Sequence, residues 1–403
     1  MPIQRYRRVL SSPALRQALL LGFLVRMPIF AGGVVLTLHV VSTLHHTYGA
    51  AGFVSAAATI AIAVSGPWRG RLLDRMGLRR VVLPSIVVAT LCWSIAPFVG
   101  YWSLLALAAL AGLFVIPSFA IIRQAVIAAV PEDDRRTAIS LDSVAVEMSF
   151  MVGPALGVWA ATVWPTSWVL FVIEMAGVGG GVLLWFANPV LREAAEAPEL
   201  DENGAPVAAA PVPRSAWFRA RFLAICLAAT ATTVVLGGSD IAIVAALRAF
   251  GDQASIGWVL AVWGLGSLVG GLVYGGLHRS ISAFWLLGGL SVVTAPMALA
   301  VGAPSLAVLS FVAGLLCAPT ITATVDQVSR VVPLSARGEA MGWHGSFMTA
   351  GMAMGAPVAG LAIDTFGWQA GFTLVAVVGL AVATAGAGAT RVRRRRLVAA
   401  QAA

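Results

Sequence analysis

Long apolar stretches recur from one end of the chain to the other, separated by short polar or charged turns. A helix needs about 20 apolar residues to cross the hydrocarbon of a bilayer, and twelve windows approach or exceed that length. They fall at 15–42, 49–70, 81–100, 103–129, 138–163, 166–187, 218–247, 254–277, 281–302, 305–329, 339–363 and 368–390. They do not show the period-two alternation of membrane β-strands. One interruption is much longer than the others: residues 188–215 hold Pro189, Pro198, Pro206, Pro211, Pro213 and the acidic cluster from Glu193 to Glu202. Such a segment has too little apolar surface to fold by itself, so it reads as a linker between six spans and six. The pattern predicts an all-α membrane protein. Its parts are an N-terminal six-helix bundle over 1–187, a cytoplasmic linker over 188–215, a C-terminal six-helix bundle over 216–390 and a basic cytoplasmic tail over 391–403.

Composition narrows the chemistry. Of 403 residues, 59% are hydrophobic and 11% charged, and the mean hydropathy is +0.91, far outside the range of soluble domains. The chain has no lysine. A P-loop phosphate site and a Schiff base to pyridoxal phosphate or retinal both require one, so ATP-driven pumping by this chain itself is excluded. Cys92, Cys226 and Cys317 stand alone in apolar windows, without the paired spacing of a metal site. No clustered Ser/His or paired-aspartate arrangement suggests an enzyme, and no cofactor is implied.

The net charge of +9 is one-sided. Arg5, Arg7, Arg8 and Arg16 precede the first span, Arg69 to Arg80 follow the second, Arg135 and Arg136 follow the fourth, and Arg391 to Arg396 follow the twelfth. The turns near His45, Tyr101, Trp164 and Pro304 carry no arginine. This is the positive-inside distribution, and it predicts a multi-pass protein of the cytoplasmic membrane with both termini cytoplasmic. The terminal arginine run is read as an anchor at anionic headgroups rather than a nucleic-acid site.

The two halves repeat each other. At an offset of 202 residues, Gly112-Leu113 pairs with Gly314-Leu315, Pro117 with Pro319, Val130-Pro131 with Val332-Pro333, Arg135 with Arg337 and Gly153 with Gly355. Nearer the start of each half the offset is 205, pairing Gly32-Gly33 with Gly237-Gly238 and Gly66 with Gly271. Six spans separate equivalent positions, so both copies enter the membrane in the same direction, as in transporters built from parallel repeats.

Between the second and third spans the chain reads Gly70-Arg71-Leu72-Leu73-Asp74-Arg75-Met76-Gly77-Leu78-Arg79-Arg80. This run resembles the loop between helices two and three of the major facilitator superfamily, G-x-L-x-D-R-x-G-R-[RK]-[RK]. Gly70, Leu72, Asp74, Arg75, Gly77, Arg79 and Arg80 match, while Leu78 stands where the family has a basic residue. In the fifth span, Ser149 to Gly157 is similar to the G-x-x-x-G-P-x-x-G element of proton-coupled drug and metabolite efflux members, with Ser149 in place of the leading glycine and Gly153, Pro154 and Gly157 matching. Ala145, Ser149, Gly153 and Gly157 also form a small-residue stripe that lets a neighbouring helix approach closely. The resemblance covers residues 14–390 and includes the turn Gly367-Trp368-Gln369-Ala370-Gly371-Phe372. It implies two six-helix bundles about a pseudo-two-fold axis, a cavity between them and alternating access. It also implies that the charged loop holds one conformation closed on the cytoplasmic side. The second copy has Arg279 where the first has Asp74, so that task falls to the first.

Charges inside the spans are costly and need a partner or a task. Arg26 lies about 11 residues into the first span, some 16 Å from its cytoplasmic start, and Glu147 lies at a similar depth in the fifth. The resemblance puts helices one and five in the same bundle. Arg26 and Glu147 are therefore expected to pair, with Asp142 a second candidate partner, and the carboxylate is a candidate for reversible protonation. Asp240, in the outer half of the seventh span, is a further cavity or proton-accepting candidate. Arg123 and Asp326 read as residues near cytoplasmic helix ends, one snorkelling and the other meeting water. His39 and His344 read as packing residues, and Glu174 receives no role. The expected activity is proton-driven export of a small apolar or amphipathic compound, with protons and the bilayer as the other partners. Nutrient uptake, proton-independent transport and a non-transporting membrane sensor or assembly partner stand as alternatives.

Overall fold

The computed structural model describes residues 2–46, 48–191, 212–252, 255–277 and 280–402, and among these every regular element is helical. Most of the expected linker (192–211) and Arg279 lie outside the described residues, as do the side chains from 390 onward. The α-helices of the first half are α1 (Pro2–Leu10), α2 (Pro13–Leu38), α3 (Tyr48–Met76), α4 (Leu78–Ile95), α5 (Tyr101–Leu113), α6 (Ser118–Ala128), α7 (Arg135–Val163) and α8 (Thr166–Ala187). Those of the second are α9 (Arg214–Trp217), α10 (Ala220–Ala249), α11 (Ile256–Gly276), α12 (Ala283–Thr294), α13 (Ala303–Gly314), α14 (Cys317–Val331), α15 (Arg337–Phe366) and α16 (Trp368–Ala402).

Among the described residues, eleven helical segments are long and apolar enough to cross a membrane. The ninth expected span, 281–302, forms a shorter apolar helix, Ala283–Leu299. Its last five residues, Ala295–Leu299, are a 3₁₀ turn with proline near its start. A 3₁₀ turn rises more steeply than an α-helix, so twelve α and five 3₁₀ residues reach about 28 Å, close to the hydrocarbon thickness. Counted with it, the described residues hold twelve apolar helices of membrane-spanning reach.

Breaks and turns follow the residues. Gly77 separates α3 from α4 with φ of 78°, in the left-handed region that glycine occupies without a Cβ clash, so the charged turn costs no strain. The fourth span breaks between α5 and α6 ahead of Pro117, and the tenth breaks at the equivalent place between α13 and α14. The repeat extends to contacts. A Cβ on Gly112 would strike the Ala58 carbonyl, and one on Gly314 would strike that of Trp263, positions that are themselves 205 residues apart. In both halves the 3₁₀ turns after Pro131 and Pro333, Glu132–Asp134 and Leu334–Ala336, lead directly into the arginines that open α7 and α15.

The chain divides into two compact units. One comprises Met1–Ala216 with Val332–Ser346, so it takes in the first ten residues of α15; the other comprises Trp217–Val331 with Phe347–Ala403. The first is packed around Leu15, Val25, Ile121, Ile122 and Val126 at one level and Val35, Val54, Leu104 and Leu170 at another. In the second, Ile243, Leu247, Val259, Leu306 and Phe372 pack into one cluster. Large side chains such as Leu20, Phe53, Ile60, Val64 and Trp285 remain exposed. Lipid tails are as apolar as these side chains, so a membrane protein loses nothing by leaving them outside.

Candidate functional site

Helix α7 meets α2 along its small-residue face. A Cβ on Gly153 would come within 2.6 Å of the Met27 carbonyl oxygen, and one on Gly157 within 3.0 Å of Val35. Ser149 donates to the Ala145 carbonyl at 2.8 Å and reaches that of Phe23 at 3.5 Å. Pro154 lies inside this helix, half-buried. The efflux-like element therefore serves a close helix contact, and that contact fixes α2 against α7.

At this junction Arg26, fully buried, forms a two-pronged ion pair with Asp142: Nη1 donates to Oδ1, and Nη2 to Oδ2 at 3.3 Å. The expected Arg26–Glu147 pair does not form. Five residues turn a helix by about 140° beyond a full turn, so Asp142 and Glu147 leave α7 in different directions. A long helical side chain also leans toward the helix N-terminus, which carries the Arg26 guanidinium down to the level of Asp142. Glu147 and Asp240, the latter on α10 in the second unit, are half-buried.

Arg123, read from sequence as a snorkelling residue, is buried on α6 with its Nε 3.9 Å from Asp142 Oδ2. The break ahead of Pro117 and the short α6 that follows bring it inward. Both guanidinium groups lie over Phe119, with Cζ 4.7 Å from the ring centre for Arg26 and 5.9 Å for Arg123. Phe119 packs edge-on against Phe30, and Phe30 against Phe150, making an aromatic shelf beside the charges. His344, on the first ten residues of α15, is fully buried with Nδ1 3.5 Å from Arg123 Nη1. Asp326 also differs from expectation: it is buried, and both its oxygens accept from Arg330 Nε at 3.1 Å.

The second constellation lies at the end of α3. The Asp74 carboxylate accepts from the backbone N–H groups of Gly338 and Glu339, each at 2.8 Å. The first N–H groups of a helix lack partners within it and carry partial positive charge, so Asp74 caps α15 from another helix. Arg71 holds Glu339 through two bonds, Nε–Oε2 at 2.9 Å and Nη2–Oε1 at 2.7 Å, and Arg214 adds Nε–Oε1 at 2.5 Å. Gly70 and Gly66 lie against Gly338 and Gly342 so closely that a Cβ on Gly70 would collide with the Gly338 carbonyl and one on Gly342 with the Gly66 carbonyl. Arg75, Arg79 and Arg80 are exposed, and Arg79 stacks over Trp185. Sequence reasoning missed Glu339, Arg71 and Arg214 as a group, because nothing local ties residues 268 positions apart.

Beneath the bundle, α1 is tied on by Arg8, which pairs with Asp134, and that carboxylate raises the Arg8 pKa. Burial raises the Tyr6 hydroxyl, opposed by its bond to Ser140 and the nearby Arg136 charge.

Residues 18–245 and again 225–401 match the sequence model of the Major Facilitator Superfamily. The chain belongs to this superfamily. Among solved structures it is similar to the human organic anion transporter MFSD10 (TETRAN), with a TM-score of 0.71 and 15% identity over 92% of this chain and 99% of that one. A bacterial homologue of the iron transporter ferroportin in an outward-facing state gives 0.73, at 16% identity over 93% and 97%. The major facilitator FucP in an outward conformation gives 0.66, at 15% identity over 92% and 98%. No curated protein matches the sequence. Membership makes this chain a membrane-embedded transporter of the superfamily, with a small-molecule substrate and lipid surroundings.

Proposed function

We propose that this chain is a proton-coupled exporter of a small amphipathic compound, working by alternating access in the cytoplasmic membrane. In this reading the bundles 1–187 and 216–390 rock about the 188–215 linker, and both termini and the basic tail 391–403 face the cytoplasm. The observation that carries the coupling is the buried Arg26–Asp142 pair with Arg123 beside it. Arginine keeps its charge at every accessible pH, so Asp142 is the member of the pair that can take up a proton. Protonation removes the charge that holds both guanidinium groups and changes the electrostatics of the whole cluster at once. The Phe30–Phe119–Phe150 shelf gives the apolar body of a substrate a surface next to that switch. The direction of transport rests on the likeness of Ser149, Gly153, Pro154 and Gly157 to the efflux element. Asp74, with Arg71 and Glu339, acts as the cytoplasmic latch, while Gly77, Arg75, Arg79 and Arg80 shape and orient the loop.

Proteoliposomes of the purified chain test this against a panel of amphipathic compounds. An imposed proton gradient should drive uphill movement of at least one compound in the wild type. Asp142→Asn should retain exchange of labelled for unlabelled compound but lose the gradient-driven component by tenfold or more. Gradient-driven transport persisting in Asp142→Asn would remove Asp142 from the coupling reaction.

A further inference from the structure

We infer that His344 is a positioning residue that relays the proton occupancy of Asp142, through Arg123, to the cytoplasmic latch. The inference rests on the proposed coupling role of Asp142.

A single stretch of chain carries both ends of the relay. Within Val332–Ser346, Gly338 and Glu339 are held by Asp74, Arg71 and Arg214, Ser346 donates to the Ala63 carbonyl at 2.6 Å, and His344 faces Arg123. His344 stands five residues beyond Glu339 on the same helix, about 7.5 Å along its axis. Guanidinium groups only donate hydrogen bonds, so the His344 Nδ1 that faces Arg123 is an acceptor. Arg123 therefore stands between two acceptors, Asp142 Oδ2 at 3.9 Å and His344 Nδ1 at 3.5 Å, with the like charge of Arg26 across the same Phe119 ring. With Asp142 ionised, its charge draws Arg123 inward and offsets the repulsion from Arg26. Once Asp142 is neutral, that attraction is gone and the repulsion remains, so Arg123 shifts its hold toward the imidazole. The load falls on the helix turn that follows the latch.

Other ionisable groups lie near Asp142 as well, among them Arg135 and Arg136, both buried on α7 itself. Tyr6 and Arg8 on α1 meet α7 at Ser140 and Asp134. Glu174 on α8 lies against Gly32 of α2, and Glu147 leaves α7 five residues beyond Asp142. On its own helix, the acidic residue nearest His344 is Glu339, which is engaged in the latch.

Two variants separate relay from packing. His344→Asn keeps an acceptor where Nδ1 stands, and His344→Leu fills the space without one; thermal unfolding confirms that each is folded. In proteoliposomes, His344→Leu should keep exchange within about twofold of wild type and lose gradient-driven transport tenfold or more, while His344→Asn should retain most of it. Hydrogen exchange at the Gly338 and Glu339 amides, corrected for intrinsic pH dependence, reports the latch directly. Its protection should change with pH in the wild type and in His344→Asn, but not in His344→Leu or Asp142→Asn. Full gradient stimulation in His344→Leu overturns the relay, as does equal impairment of the two His344 variants. Absence of gradient stimulation in the wild type strikes instead at the coupling role of Asp142, and the relay falls with it.

Discussion

Arg26 has no contact with solvent, and a guanidinium so placed is most stable while Asp142 answers it. Removing one member of a buried pair leaves an uncompensated charge, at a cost of about 3–5 kcal/mol, whereas replacing both with apolar groups is often close to neutral. Asp142→Asn should therefore lower the thermal unfolding midpoint well below wild type, and the double variant Arg26→Met/Asp142→Leu should recover most of the loss while showing no response to a proton gradient. A double variant as unstable as the single one would mean that the pair holds the helices together by more than mutual neutralisation. That a charge pair existed at this depth was readable from residue type and position alone. Which carboxylate formed it was not, because the choice depends on rotation about α7 and on the lean of the arginine side chain. The inward position of Arg123 was hidden for a related reason: the interruption before Pro117 shortens α6 and turns a residue near a helix end into one facing the core.

At the scale of elements, the junction between α3 and α15 combines close backbone approach with a charged cap. The glycines at 66, 70, 338 and 342 allow the approach, and Asp74 satisfies two of the amides that open α15. Loss of an acidic or polar helix cap costs about 0.5–2 kcal/mol. Asp74→Ala should accordingly raise hydrogen exchange at Gly338 and Glu339 by several-fold, with the rest of α15 changing little. Gly70→Val, which drives a side chain into the Gly338 carbonyl, should raise the same exchange even with Asp74 intact. Unchanged protection in both variants would mean that neither contact holds the segment. Here the sequence was informative about one partner only. The superfamily-like run marked Asp74 and its glycines, yet its target on α15 became visible only when the fold brought the two stretches together. The efflux-like stretch of α7 shows the same limit, since the sequence did not say that its small residues pack on α2.

For the molecule as a whole, twelve crossings would put both termini on one side, and the arginine distribution predicts that this side is the cytoplasm. The number of crossings depends on Ala283–Leu299, shorter than the other membrane helices, whose 3₁₀ end stretches its reach toward the hydrocarbon thickness. If that segment failed to cross, every turn after it would change sides and the arginines at 391–396 would face outward. Topology thus tests the fold and the charge rule together. The native cysteines at 92, 226 and 317 are buried, so single reporter cysteines can be read against them. Arg75→Cys, at the exposed end of α3, and a cysteine appended after Ala403 should react with a membrane-impermeant maleimide only in everted vesicles. Trp102→Cys, exposed at the start of α5, should react only in intact cells. Labelling of the appended cysteine from the outside, with Arg75→Cys still reacting from within, would show an odd number of crossings between the two, and would place the missing or extra crossing after α3.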